Sequence, residues 1–131
     1  MGVTVTIRDQ ATAGGTSGTY TLADIATEIT LRDLIRTRVR EEVAEYNAAP
    51  SGIFNGLVMP DGARTTSDGF VLPMPRRIEW ERQADAAIEA FRHNGFVVLV
   101  GDRQVTDLDE QLHLSADTDV RFIRLVPLAG G

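Results

Sequence analysis

The sequence contains no cysteine and no lysine. Without cysteine there is no disulfide framework, no thiol nucleophile and no thiolate-based zinc or iron–sulfur centre. Without lysine there is no Schiff-base chemistry and no lysine–phosphate contact. All thirteen basic residues are arginine, set against nineteen Asp and Glu, for a formal net charge of −6. Aromatics are sparse, with one Trp, two Tyr and five Phe. An acidic chain of this kind is a poor candidate for binding nucleic acid through its phosphates. No apolar run approaches the roughly 18 residues of a membrane-spanning helix, so no membrane span is expected. The opening residues Met1-Gly2-Val3-Thr4-Val5-Thr6-Ile7 lack a basic region and an apolar signal core, and a cytoplasmic protein is expected.

What is present is enough for one domain. The chain has 131 residues, 43% of them hydrophobic, and a fold of this size buries roughly two-thirds of its extended surface. Val3, Val5 and Ile7 alternate with Thr4, Thr6 and Arg8, the pattern of a half-buried strand. A turn-rich stretch from Ala11 to Gly18 leads to Tyr20, Leu22 and Ile25, which read as a return strand. Thr30 then suits a helix N-cap and Asp33 the capping-box position. Leu31, Leu34, Ile35, Val39, Val43 and Tyr46 form one face of a helix of about four to five turns, ending near Pro50 and Gly52. Arg32, Arg36 and Arg40 lie on another face, either solvated or in contact with an acidic partner.

Residues 49–75 are less regular. Gly56-Leu57-Val58-Met59-Pro60 and Phe70-Val71-Leu72-Pro73-Met74-Pro75 read as two strands of a small hairpin, held at an edge by their prolines. From Ile78 to His93 the period is helical again, with Trp80, Ala84, Ala87, Ile88 and Phe91 on one face. Asn94-Gly95 is a left-handed C-cap signal, and His93 suits the negative end of the helix dipole. Phe96-Val97-Val98-Leu99-Val100 reads as a buried strand. A turn at Gly101-Asp102-Arg103-Gln104 follows, with a short partner strand starting near Val105. Leu108, Leu112 and Leu114 mark a compact segment before the last strand, Val120 to Leu125. The whole predicts an α+β domain with a mixed sheet covered by helices.

The end of the sequence carries the chemistry. Glycines lack Cβ atoms, so Gly130-Gly131 can thread a narrow channel. A terminal carboxylate is a weak nucleophile, ionised at neutral pH. Positioned by another protein, it can attack the α-phosphate of ATP and form an acyl-adenylate. None of this needs a catalytic side chain in the chain itself, so no enzyme activity is expected of it and no cofactor is expected to be bound.

The run from Phe96 to Leu108, then Leu112, Leu114, Asp117-Thr118-Asp119-Val120 and Leu125 to Gly131, resembles the second half of the ubiquitin-like β-grasp family. That half is an apolar strand, a glycine turn with a short strand, a compact leucine-bearing segment, a last strand and a Gly-Gly tail. The Asp119-Val120 entry and the ending Pro127-Leu128-Ala129-Gly130-Gly131 also look like the prokaryotic sulfur carriers of molybdopterin and thiamine synthesis. The resemblance covers residues 1–48 and 96–131. It implies a single β-grasp domain over 1–125 with an insertion at about 49–95, and a flexible tail over 126–131. The tail is longer than in the sulfur carriers. The insertion is either an elaborated crossover or a docking element: Phe54, Leu57, Phe70, Leu72 and Trp80 extend the core or, exposed together, form a partner patch.

The resemblance implies a ubiquitin-like modifier. A partner activating enzyme using ATP would adenylate Gly131, with Gly130 beside it, and the activated end would be conjugated to target proteins. A conjugating enzyme and a deconjugating peptidase are implied partners, as in bacterial operons that resemble ubiquitination systems, some linked to phage defence. Arg121, Arg124, Val126, Pro127, Leu128 and Ala129 are the expected contacts for the activating enzyme. The alternatives are a sulfur carrier with a Gly131 thiocarboxylate and a non-conjugated β-grasp interaction module. A chain without lysine offers no side-chain amine to its own activated end, so single additions are expected.

Other motifs carry less. His93 and His113 lie far apart, without cysteine, and make no persuasive metal site. Glu79, Glu81, Asp85 and Glu89 suit the polar face of a helix. Gly14-Gly15-Thr16-Ser17-Gly18 lacks the lysine and the spacing of a phosphate loop.

Overall fold

A computed structural model describes residues 2–11, 18–66 and 69–125. It is an α+β arrangement. In chain order the elements are β1 (Gly2–Ala11), β2 (Gly18–Ala26), β3 (Glu28–Thr30), α1 (Leu31–Ala48), β4 (Ile53–Phe54), β5 (Arg64–Thr66), β6 (Gly69–Val71), α2 (Trp80–Arg92), β7 (Phe96–Val100), β8 (Arg103–Val105), β9 (Gln111–His113) and β10 (Val120–Arg124). The chain divides into two compact units, Met1–Leu34 with Ala90–Gly131, and Ile35–Glu89. No helix among the described residues is long and apolar enough to cross a membrane.

The first unit is built on a mixed five-stranded sheet in the order β2-β1-β10-β7-β8. β1 and β10 run parallel, with Ile7 beside Val120. The other neighbours are antiparallel. Because strand side chains alternate between faces, Val5 and Ile7 of β1 fall on the same side as Val120 and Phe122 of β10 and Phe96 and Val98 of β7, and all six are buried. Phe96 and Phe122 stack with ring centroids 5.8 Å apart, and Phe91 tilts against Phe96 at 5.6 Å. The strand read in 3–8 extends through Ala11, although its alternation of buried and exposed residues stops at Arg8. The turn-rich stretch after it, residues 12–17, lies outside the described residues, as does the 126–131 tail.

β3 and β9 form a separate two-stranded ribbon that sits at the start of α1. There the helix leaves its first amide donors without intrahelical acceptors. Leu31 N–H donates to Glu110 O (3.1 Å) and Arg32 N–H to Leu108 O (2.9 Å). Asp33 N–H donates to Thr30 Oγ1 (3.1 Å), the cap expected at Thr30. At the other signal read from the sequence, Asn94 takes a positive φ of 61°. Gly95 N–H donates to Ala90 O and Asn94 N–H to Phe91 O, the paired bonds of a Schellman cap.

The second unit holds Ile35, Val39, Val43 and Tyr46 of α1, Phe54, Leu57, Leu72 and Ile78 of the irregular stretch, and Ala84, Ala87 and Ile88 of α2, all buried. Tyr46 and Phe54 meet edge to face at 5.6 Å. Of the apolar residues expected to extend the core here, Phe54, Leu57 and Leu72 do so, while Phe70 and Trp80 are half-buried.

The hairpin differs from the sequence reading. Its strands are β5 and β6, with β4 on the far side of β6. Gly56–Pro60 is not a strand, because its main-chain groups are taken by helix side chains. Leu57 N–H donates to Glu42 Oε2 (2.8 Å), and Val58 O accepts from Gln83 Nε2 (2.7 Å). Pro60 has no N–H to offer a ladder.

Candidate functional site

The candidate site lies on the first unit, on the face of the five-stranded sheet opposite its buried one. β10 is the central strand. One register row across the sheet runs Thr19, Arg8, Arg121, Leu99, Gln104. The next brings Gln10, Ile123 and Val97 together. Val97, Leu99 and Ile123 are half-buried and form a short apolar strip beside the two arginines.

Asp119, in the turn before β10, organises those arginines. Arg8 reaches it bidentately, with Nε to Oδ1 at 3.0 Å and Nη2 to Oδ1 and Oδ2 at 2.8 and 2.7 Å. Arg121 Nε lies 3.5 Å from Asp119 Oδ2. That nitrogen is buried and makes no hydrogen bond among the described residues. One carboxylate thus faces two guanidiniums, and the cluster keeps an excess positive charge. Arginine is enriched at the energetic centres of protein interfaces, and the cores of such interfaces are more apolar than the rest of the surface.

The expected contact residues separate here. Arg121 lies on this face. Arg124 belongs to the opposite one, in register with Ala11 and Phe96, because three positions along a strand reverse the side. Val126, Pro127, Leu128, Ala129, Gly130 and Gly131 lie outside the described residues. Arg8, Asp119, Val97, Leu99 and Ile123 were not singled out as contacts from the sequence. The alternation within β1 and β10 was the available signal, but only their parallel pairing joins the two strands.

A second feature of the same unit is a cleft of about 510 Å³ with Phe91, Phe96, Leu108, Arg32, Asp107 and Asp109 among its lining residues. Its charges are partly matched internally: Arg32 pairs with Asp109 at 3.3 Å, and Asp107 Oδ1 accepts the Asp109 N–H. Beyond it, Arg103 bonds Glu110, whose carboxyl is held below the usual carboxylate range mainly by that hydrogen bond. His113 is exposed and lies 3.5 Å from Glu28, while His93 lies just past α2. No group of three or more His, Asp or Glu among the described residues is arranged to hold a metal ion.

No protein-family model, curated protein or solved structure matches this chain.

Proposed function

We propose that this chain is a ubiquitin-like modifier of the β-grasp type. The observation that carries the reading is the β2-β1-β10-β7-β8 order, with β1 and β10 parallel at its centre. An amino-terminal hairpin leads to a helix, and an apolar strand, a turn at Gly101, a short strand and a leucine-bearing segment precede the last strand. This succession, interrupted between α1 and β7 by β4, β5, β6 and α2, supports the resemblance to ubiquitin, and Gly130-Gly131 follows it in the sequence.

In this reading the Gly131 carboxylate attacks the α-phosphate of ATP on a partner activating enzyme. An oxygen–phosphorus bond forms and pyrophosphate leaves. An enzyme thiolate then displaces AMP to give a thioester, and a target amine displaces the thiolate to give an amide. The chain supplies the carboxylate and a docking surface, with no catalytic side chain and no bound cofactor. That surface is the Arg121 face with its Val97–Leu99–Ile123 strip, together with residues 126–129. Conjugating enzyme, deconjugating peptidase and target proteins complete the system, in the cytoplasm. Without lysine the chain offers a further copy only its N-terminal amine or its hydroxyls, so single additions are the expected product.

The test is intact-mass analysis of the chain recovered from its native host, beside a variant lacking Gly131. A covalent partner that disappears in the variant is the expected result. Exchange of one oxygen for sulfur at Gly131 would instead identify a sulfur carrier. Adducts that persist without Gly131 would sink the modifier reading, and a wild-type chain with neither adduct nor sulfur exchange would leave a non-conjugated interaction module. With the activating enzyme in hand, Arg121→Glu should slow adenylation without unfolding the chain. Arg124→Glu should slow it less, and equal rates for wild type and Arg121→Glu would remove the docking assignment.

A further inference from the structure

The second unit carries a basic cleft whose charges are not matched by carboxylates. It measures about 350 Å³ and is lined by Arg40, Ala44, Asn47, Ala48, Arg77 and Trp80. None of the six is acidic. Arg40, Ala44 and Ala48 recur at four-residue spacing, so one face of α1 forms a side of the cleft, and the two alanines leave it open. Asn47 fixes the opposite side. Its Oδ1 accepts the Ile78 N–H at 2.9 Å and its Nδ2 donates to Ile78 O at 2.8 Å. These paired bonds hold the main chain between Arg77 and Trp80 against the helix.

The neighbouring arginines have partners of their own. Arg36 lies 3.5 Å from Asp85, Arg82 lies 3.3 Å from Asp61, and Arg38 is bound to Glu42. Arg76 donates to the main-chain carbonyl of Asp61. Arg40 and Arg77 differ. Neither has an ion pair among the described residues, and both are exposed. Arg40 instead lies over the Trp80 ring at 5.6 Å, with Arg36 over the same ring at 5.4 Å. A stacked guanidinium keeps its in-plane N–H groups available for an anion. In a chain of net charge −6, two guanidiniums without ion pairs among the described residues, Arg40 stacked and Arg77 not, lining one cleft are a local feature, not a consequence of bulk charge.

We propose that this cleft is a binding site for a phosphate monoester dianion, held by bidentate hydrogen bonds from Arg40 and Arg77 beside the Trp80 ring. Two guanidiniums match the charge of the dianion, and their planar forks match the spacing of its oxygens. The volume exceeds what the phosphoryl group needs and leaves room for part of its carrier. The site is independent of Gly131 and stands or falls separately from the modifier reading.

Trp80 is the only tryptophan, so its emission reports on the cleft directly. The full chain is titrated with inorganic phosphate, adenosine 5′-monophosphate and a short phosphoserine peptide at constant ionic strength, by fluorescence and calorimetry. Saturable binding is expected. Arg40→Gln and Arg77→Gln should each weaken it about tenfold, the size of one lost charge-assisted hydrogen bond. Arg64→Gln removes the same charge outside the cleft lining and should leave the affinity unchanged. The tightest of the three probes identifies the carrier as nucleotide, phosphopeptide or the phosphoryl group alone. Absence of saturation with all three, or equal weakening by Arg64→Gln and Arg77→Gln, would overturn the proposal.

Discussion

Glu42 Oε2 accepts the main-chain N–H of Leu57 at 2.8 Å, while Oε1 accepts from Arg38 Nε at 3.0 Å. The two charged side chains are only 2% and 3% exposed. Breaking a buried pair strands the surviving charge, which typically costs about 3–5 kcal/mol. Glu42→Ala should therefore lower the unfolding free energy by about that amount, read from the denaturant midpoint at constant m. The double change Arg38→Met with Glu42→Leu should recover only part of it. It removes the charge problem but leaves the Leu57 amide unpaired, at about 1–3 kcal/mol. Full recovery would show that the Leu57 bond contributes little.

Gly56 leaves room for that arrangement. A Cβ there would lie 2.2 Å from the Phe54 ring and 2.6 Å from Glu42 Oε2. Gly56→Ala should destabilise by about 1–3 kcal/mol, the usual range for overpacking. Gly18 has nothing within 4 Å of the equivalent position, and Gly18→Ala should change stability by no more than about 0.5 kcal/mol. Thermal unfolding of the two variants side by side makes the comparison.

The Arg8–Asp119 pair is half exposed, at 50% and 39% for its side chains. Exposed pairs are worth about 0.2–1 kcal/mol, and the bidentate geometry of this one places it at the upper end. Asp119→Asn should cost no more than about 1 kcal/mol at low salt. Near 1 M salt the difference should vanish, because the screening length shrinks to about 3 Å. A loss that persists at high salt would mean that Asp119 acts through packing.

Glu110 gives a pH-dependent signal with a definite sign. The Arg103 hydrogen bond lowers its folded-state pKa below the usual value. Its contribution to stability is therefore present above the unfolded-state pKa and is lost as pH falls through the lowered folded value. Carboxyl NMR titration should place Glu110 below an ordinary glutamate, and Arg103→Gln should return it towards the usual range. An unchanged titration in that variant would remove the assigned cause.

Much of the local structure was legible because its causes are local. Thr30 caps α1 through its own hydroxyl, Asn94-Gly95 closes α2 through a left-handed residue, and Val120–Arg124 alternates as a strand must. Gly56–Pro60 misled because its apolar residues have strand composition while its amide and carbonyl partners sit on α1 and α2, distant in sequence. Arg38 and Glu42 are not part of the apolar face read for α1 from the sequence. Their signal was positional: with Ile35, Val39, Val43 and Tyr46 they share the buried face of the helix. At the candidate site Arg121 was readable from the last strand. Arg8 and Asp119 were not, since they are 111 positions apart and meet only through the parallel register of β1 with β10.

That register also sets an order of events in synthesis. β1 and β2 are made before α1, yet the strand that covers the inner edge of β1 is the last of the described strands to be made. Until Val120–Arg124 has emerged, that edge of β1 has no native partner and stays open to pairing with another chain. Closing it joins segments separated by nearly the whole described sequence, a connectivity that slows folding. Chains truncated before β10 should therefore be the aggregation-prone form of this protein, and the β1–β10 pairing a late step in building the sheet.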